Sequence, residues 1–544
     1  MTTLHPIPTV LGQSVPDGRA TQTEVPMRDG TLLATDVYLP GPGLGRVPTV
    51  LIRLPYDKTG RYTFIPQIGA HFAAHGFAVV AQDVRGKYRS GGTREPFVNE
   101  AHDGYDTVDW IVAQPWSDGS VGTWGDSYYG FTQWALASAG HAAHKAMVPR
   151  VTGHRFLDMS PGGGMPTLTL LDWLVDAWAV QELVLEHGTD HATIPAIDMV
   201  HPSLESGDAL LRAYVERLGD PDGMAATVFP DGNPAGALHI PALHTGGWFD
   251  NLQFWQLDDW NAALDSPASE HQFLVMWSSD HEDYRWRPDG TAAADDFGID
   301  RDALARHIPA LLELPISFFD HYLRGGVGRW ASPRVRYELC GVGDREASTW
   351  PPRSTRTRRL HPAADGALTP DPTTGAVSWL HDPADPVPFL IPSEWDQNRA
   401  GLPDESSLAD RRDTAVFDGP AADEPWNLVG RCTFTGALSA ATERTFVVAR
   451  LYDVAPDGDA RFILGNAGEV VADGTTPFTL RLGDTAYRMR RGHRLRLQLS
   501  TSLAGQYPIH PGTDDPVWFA VDRRPASQSL VLDGAALDYG EDQG

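Results

Sequence analysis

Gly122-Thr123-Trp124-Gly125-Asp126-Ser127-Tyr128-Tyr129-Gly130 places a serine between a short β-run, Ser120 to Trp124, and a helix-like run, Gly130 to Ala139. Glycines flank the serine closely. Where a strand turns sharply into a helix, only small residues let the two elements approach. The serine hydroxyl is then exposed at the tip, as in a nucleophile elbow. The spacing departs from G-x-S-x-G, because the second glycine stands three residues after Ser127 and Tyr129 holds its place. Taken alone, the stretch is equally a glycine-rich turn with an incidental serine, so its reading rests on its surroundings.

On the N-terminal side, Thr23 to Gly30 carries an Asp-Gly turn and Thr31 to Leu39 alternates apolar with polar or small residues, which predicts a hairpin. Val47 to Leu54 and Phe77 to Gln82 are nearly continuous apolar runs, like the central strands of a parallel sheet. Helical periods follow each, near Phe64 to Ala74 and over Ala101 to Gln114. This alternation predicts a doubly wound α/β sheet with its catalytic loops at the carboxyl ends of the strands, where Ser127 falls.

After Val151 the pattern changes. Met165 to His187 and Ser203 to Leu218 have helical spacing, and no good strand intervenes before Ala237. The sheet then resumes with His239 to His244, leading to Thr245-Gly-Gly-Trp-Phe-Asp250, and with Gln272 to Trp277, leading to Ser278-Ser-Asp-His281. From Pro333 onward alternating strands with Pro and Gly turns dominate, Arg334 to Leu339 being the first, which predicts an all-β sandwich or jelly roll. The expected layout is an α/β domain over 1–150 and 237–332, an inserted helical cap over 151–236, and a C-terminal β domain over 333–544.

Composition narrows the function. A chain of 544 residues suggests roughly three domains. With 71 acidic against 43 basic residues the net charge is −28, which repels phosphate backbones and anionic membranes, so neither nucleic acid nor membrane is an expected partner. The basic cluster Arg353 to Arg359 reads as a solvated face. Cys340 and Cys432 offer neither a disulfide framework nor metal spacing and read as buried thiols. Met1 to Pro26 lacks a basic segment followed by an apolar run, and a cytoplasmic protein is expected.

A serine hydroxyl is a weak nucleophile at neutral pH. It needs an imidazole to take its proton, and the imidazole needs a carboxylate to fix its tautomer. In α/β hydrolases the chain order is Ser, Asp, His, with the last two on loops after late strands. Ser127, Asp250 and His281 satisfy order and placement. The competitors are weaker: His244 sits in or beside a strand, His307 in a helix, and Asp258 and Asp259 one helical stretch too late. Acyl transfer also needs donors aimed at the developing oxyanion, worth about 3 to 4 kcal/mol each. The Tyr128 N–H, after the nucleophile, is one. A second is expected after an early strand, where Tyr56 lies, although Tyr56 alone reads more simply as packing at a strand end.

These residues carry a resemblance to the cocaine esterase and X-Pro dipeptidyl-peptidase group, the CocE/NonD hydrolases. Val25 to Gly30, Pro55-Tyr-Asp-Lys58, Asp83-Val-Arg-Gly86, Gly125-Asp-Ser-Tyr-Tyr-Gly130, Gly247-Trp-Phe-Asp250, Trp277 to His281 and Asp382 to Pro388 resemble that family's landmarks, in order, over nearly the whole chain. The resemblance implies an α/β-hydrolase domain, an inserted helical cap and a C-terminal all-β jelly roll. It also implies Ser127 as nucleophile, His281 as general base, Asp250 as its orienter, and the Tyr56 hydroxyl and Tyr128 N–H as the oxyanion hole. The G-x-S-Y-x-G spacing is the family's own form, and no cofactor or metal is implied.

The expected partner is a small-molecule ester or amide, and a homodimer is compatible with this reading. Relatives that hydrolyse α-amino acid esters resemble one another in acids closely following the triad aspartate, whereas Leu252 and Gln253 stand here. Trp173, Trp178 and Phe249 are candidates for an apolar acyl pocket, with core packing of the cap as the alternative for the tryptophans. Asp280 reads as a solvated acid. Besides an ester hydrolase, the triad allows an X-Pro dipeptidyl-peptidase or an acyltransferase. A chain with a dead triad would instead be a binding protein acting through the jelly roll.

Overall fold

The computed structural model describes residues 20–41, 43–60, 63–155, 167–173, 177–178, 193–199, 228–281, 301–325, 330, 332–391, 402–471 and 474–542. β1 (Ala20–Pro26) and β2 (Leu32–Tyr38) form the predicted antiparallel hairpin, with Ala20 opposite Tyr38 and Pro26 opposite Leu32. β3 (Val47–Leu54) and β4 (Ala78–Asp83) are buried at every residue, as strands covered on both faces must be. α1 (Ile65–Ala74) joins them, and α2 (Glu100–Val112) leads to β5 (Ser117–Asp126), α3 (Ser127–Ala139) and β6 (His144–Arg150). Within the predicted cap the described residues include α4 (Thr169–Trp173) and a 3-10 turn, Ala196–Asp198. The predicted helix Ser203 to Leu218 lies outside the described residues.

The sheet resumes with β7 (Ala242–Gly247), α5 (Gln253–Ala263), β8 (Gln272–Trp277) and α6 (Arg301–Leu323). β9 (Val335–Leu339) and β10 (Gly343–Ala347) complete it, in the order β1-β2-β4-β3-β5-β6-β7-β8-β9-β10. All neighbours from β4 to β9 are parallel. Here the structure departs from the expected layout. Arg334 to Leu339 was assigned by its alternation to the β domain, yet β9 pairs in parallel with β8. The alternation arises because β9 nears the sheet edge, where one face of the strand is only partly covered.

The remaining strands form an all-β unit. β11 (Thr355–Pro362), β12 (Leu368–Thr369), β13 (Ala376–His381), β14 (Thr414–Asp418) and β15 (Trp426–Ala440) are followed by β16 (Arg444–Val454), β17 (Ala460–Val471), β18 (Thr475–Met489), β19 (Arg494–Ser500) and β20 (Ala526–Asp542). One sheet runs β12-β11-β20-β15-β18 with β13 on β20, and the other β14-β19-β16-β17, with antiparallel ladders throughout. The Arg353 to Arg359 cluster lies largely on exposed β11, where Arg358 pairs with Glu541 and Arg359 with Asp538 at 2.7 Å each. Cys340 and Cys432 are buried and free. Among the described residues no helix is long and apolar enough to cross a membrane.

The two units share a core. Trp248, Phe249, Leu257, Trp260, Leu274 and Met276 of the α/β unit cluster with Leu428, Leu464, Leu482 and Tyr487 of the β unit. Backbone bonds also tie the cap to the β unit, from Leu168 N to Gln506 O and from Ile197 N to Trp518 O, both 2.8 Å. The loop after β7, which carries Trp248 and Phe249, is thus packed against the β unit.

Candidate active site

Ser127 opens α3 directly after β5 with φ +52°, a left-handed backbone that a non-glycine residue holds only when its surroundings enforce it. The enforcement is visible. Gly125 has φ +154°, and a Cβ there would lie 2.2 Å from the Tyr129 ring, so Tyr129 fills the space beside the turn and forbids a side chain at 125. Thr152 Oγ1 donates to Ser127 O at 2.7 Å, and the buried Arg150 Nε donates to Asp126 Oδ1 at 2.5 Å. The serine therefore stands on a fixed turn at the carboxyl edge of the parallel sheet.

Asp250 and His281 lie at the same edge, after β7 and β8. Their loops are stitched together by Trp248 N to Trp277 O at 2.9 Å and Phe249 N to Ser279 O at 3.0 Å. Gly247 makes this approach possible, since a Cβ there would sit 2.1 Å from Ser279 O. His281 Nδ1 donates to Asp250 Oδ1 at 2.8 Å, and Leu252 N donates to the same oxygen at 3.0 Å. A carboxylate only accepts, so the pairing assigns the proton to Nδ1 and leaves Nε2 of a neutral ring as the base. Both side chains are buried.

The competing residues are engaged elsewhere. His244 meets Gln272 Oε1 at 3.0 Å inside the sheet, and burial pushes its pKa down to about 4. His307 lies in α6. Asp258 pairs with Arg481 at 2.5 Å. Asp259 accepts from both the backbone N–H and Nδ1 of buried His154, making a second His–Asp pair that the sequence did not reveal. Asp280, read as solvated, is fully buried.

Tyr56 follows β3, on a loop pinned by Lys58, whose backbone N–H and Nζ both donate to Asp83 at 2.9 Å. Its hydroxyl accepts a hydrogen bond from Trp173 Nε1 at 2.8 Å. Tyr128, the second residue of α3, has its ring wholly buried, its hydroxyl donating to Glu100 Oε1 at 2.8 Å and accepting from Phe97 N at 2.7 Å. Burial, then the neighbouring Glu100 charge, raise its pKa well above the ordinary phenol value, which keeps it neutral.

Trp173 stacks on Tyr128 with centroids 5.6 Å apart and on Phe97 at 5.9 Å. Trp178 packs on Tyr128 at 5.2 Å and on Trp173 at 5.6 Å. The two tryptophans thus form an aromatic layer beside both oxyanion candidates. Buried Lys87 donates to Ala177 O next to Trp178, and burial lowers its pKa to about 7. Phe249 lies apart from this layer, in the core shared with the β unit, where it lines a cavity of about 60 Å³ with Thr167, Leu464 and Leu482.

Residues 29–282 match the family model of the X-Pro dipeptidyl-peptidase (S15 family), and residues 328–517 match that of the X-Pro dipeptidyl-peptidase C-terminal non-catalytic domain. The two models, both of the X-Pro dipeptidyl-peptidase, thus match the α/β unit and the β unit in turn, in keeping with the resemblance to the CocE/NonD hydrolases. A cocaine esterase from Rhodococcus sp. (strain MB1 Bresler) is 29% identical across 91% of this chain and 92% of its own. Among solved structures, an aminopeptidase from a marine sediment Thaumarchaeota archaeon superposes with TM-score 0.81, 22% identity and 99% coverage of both chains. An α-amino acid ester hydrolase superposes with TM-score 0.76 and 23% identity over 98% of this chain and 99% of that one.

Leu252 and Gln253 are both buried, and Gln253 Nε2 donates to Trp248 O at 2.7 Å while its Oε1 accepts from Asp484 N at 3.0 Å. Gln253 therefore ties the acid loop to β18 and presents no charge. The partners of Tyr56, Tyr128 and Gln253 carried no sequence signal. Trp173 lies 117 residues from Tyr56 and Asp484 231 residues from Gln253, while the nearer partners Phe97, Glu100 and Trp248 belong to stretches in which nothing marks a hydrogen bond to these side chains.

Proposed function

We propose that the protein is a serine carboxylic-ester hydrolase working through an acyl-enzyme. Ser127 attacks the carbonyl as His281 Nε2 takes its proton, and Asp250 holds the imidazole and balances its charge. His281 then returns the proton to the leaving alcohol and activates water for the second half-reaction. The Tyr56 hydroxyl and the Tyr128 N–H stabilise the tetrahedral oxyanion. The observation that carries this reading is the 2.8 Å His281–Asp250 hydrogen bond, on loops stitched together at the sheet edge where Ser127 stands at positive φ.

The preferred acyl group is neutral, because Leu252 and Gln253, closely following the triad acid, stand in place of carboxylates that could pair with an ammonium. The test is labelling with a fluorophosphonate followed by peptide mass spectrometry. Phosphonylation of Ser127, lost in Ser127→Ala together with p-nitrophenyl ester turnover, is the expected result. Folded protein that takes no adduct would favour a binding protein acting through the β unit. Turnover of Gly-Pro-anilide in preference to esters would favour the dipeptidyl-peptidase.

A further inference from the structure

We infer that Trp173 is a positioning residue that aims the Tyr56 hydroxyl at the reacting carbonyl, so that the cap completes the oxyanion hole. The inference rests on the role proposed for Tyr56. Indole is a donor without an acceptor nitrogen, and Trp173 Nε1 lies 2.8 Å from Tyr56 Oη. The phenolic proton therefore cannot point at Trp173, and the indole occupies a lone pair of the oxygen. A hydroxyl that accepts one hydrogen bond donates a stronger one, because each bond in a chain polarises the next.

The surroundings fix both rings. Tyr129, two residues after the nucleophile, meets the Tyr56 ring edge-on at 6.2 Å and 76°. Trp173 lies nearly parallel to Tyr128, 21° between ring planes, and to Phe97, 30°. Tyr128 is the residue whose backbone N–H is the other proposed donor. A five-residue helix of the cap thus touches both residues of the hole, hydrogen-bonding one and stacking on the other. Trp173, a candidate pocket wall in sequence, becomes in this reading an orienter of the catalytic hydroxyl.

A double-mutant cycle tests this. Trp173→Phe keeps a stacking ring and removes the N–H. It should lower kcat about 3-fold to 10-fold, the loss carried by one hydrogen bond of ordinary net strength, with KM little changed. Benzoyl and acetyl esters should lose equally. Tyr56→Phe alone should lower kcat by roughly 100-fold to 1000-fold. In that background Trp173→Phe should cost less than about 2-fold, since it has no hydroxyl left to orient. If Trp173→Phe proves unfolded by thermal melting, a benzothiophene in place of the Trp173 indole swaps N–H for sulfur at the same shape and is read in the same way.

An equal kcat loss in both backgrounds, or a changed ranking of benzoyl over acetyl esters at unchanged kcat, overturns the inference. A fully active Tyr56→Phe overturns it together with the proposed oxyanion role of Tyr56. The serine mechanism is judged separately, by the labelling of Ser127.

Discussion

Asp250 Oδ1 accepts two hydrogen bonds, one from His281 Nδ1 and one from Leu252 N. The first sets the tautomer of the imidazole and the second sets the carboxylate. Asp250→Asn keeps the shape but can offer an amide N–H to the ring, which favours the wrong tautomer. We expect kcat for p-nitrophenyl esters to fall about 10³-fold to 10⁴-fold with KM nearly unchanged. A loss below about 10-fold would mean that Asp250 does not orient the base. The turn around Ser127 has a local cause, since Gly125 and Tyr129 are four residues apart and in contact, yet the stretch alone read equally as an incidental serine and took its meaning from the strands around it. The donor to Tyr56 was not legible. Trp173 lies 117 residues away in a run of Leu and Trp that reads equally as core.

The elements themselves were read correctly where burial on both faces leaves an unbroken apolar run, as in β3 and β4. They were misread where a strand is half-covered. β9, with only β10 outside it at the sheet edge, alternates like a strand of the β unit although it pairs in parallel with β8. The junction between the units was equally hidden, and besides its shared core it includes one amide at the start of α5. Gln253 satisfies Trp248 O and Asp484 N at once. Gln253→Ala strands both groups in a buried interface, at about 1 to 3 kcal/mol for each left unsatisfied. A thermal midpoint lowered by several degrees is the expected outcome, together with a reduced kcat, because the Asp250 loop loses its clamp. An unchanged midpoint and unchanged kcat would show that the β unit does not hold the acid loop through this side chain.

Across the two units, stability on acidification follows from histidines folded in the neutral form. Burial pushes His144 down to about 3, and His244 and His510 to about 4, from an ordinary value near 6.5. His510 shows why: its Nδ1 accepts from Gly512 N and its Nε2 donates to Arg444 O, both at 3.0 Å, and a second ring proton would break the first bond. Between pH 6.5 and 4 the unfolded chain takes up protons that the folded chain refuses. Stability is therefore full above pH 6.5 and falls as pH drops, by about 1.4 kcal/mol per unit for each histidine. Asp36 opposes this. Burial holds its carboxyl up to about 6, so it takes a proton in the folded chain first and offsets one histidine of the α/β unit. Burial also raises the carboxyls of Asp83 and Glu100, which oppose the histidines of the α/β unit further, and it lowers His71 there and His381 in the β unit, so the fall is carried by the β unit, through His510 and His381. Relief of the −28 charge on protonation also opposes the effect, and salt near 1 M shortens the Debye length to about 3 Å and suppresses it. In such salt the urea midpoint of the β unit should fall from pH 7 to pH 5, with His510→Gln flattening the fall. A midpoint that stays level across that range would show that these imidazoles are charged in the folded protein, and that the hydrogen bonds assigned to His510 are wrong.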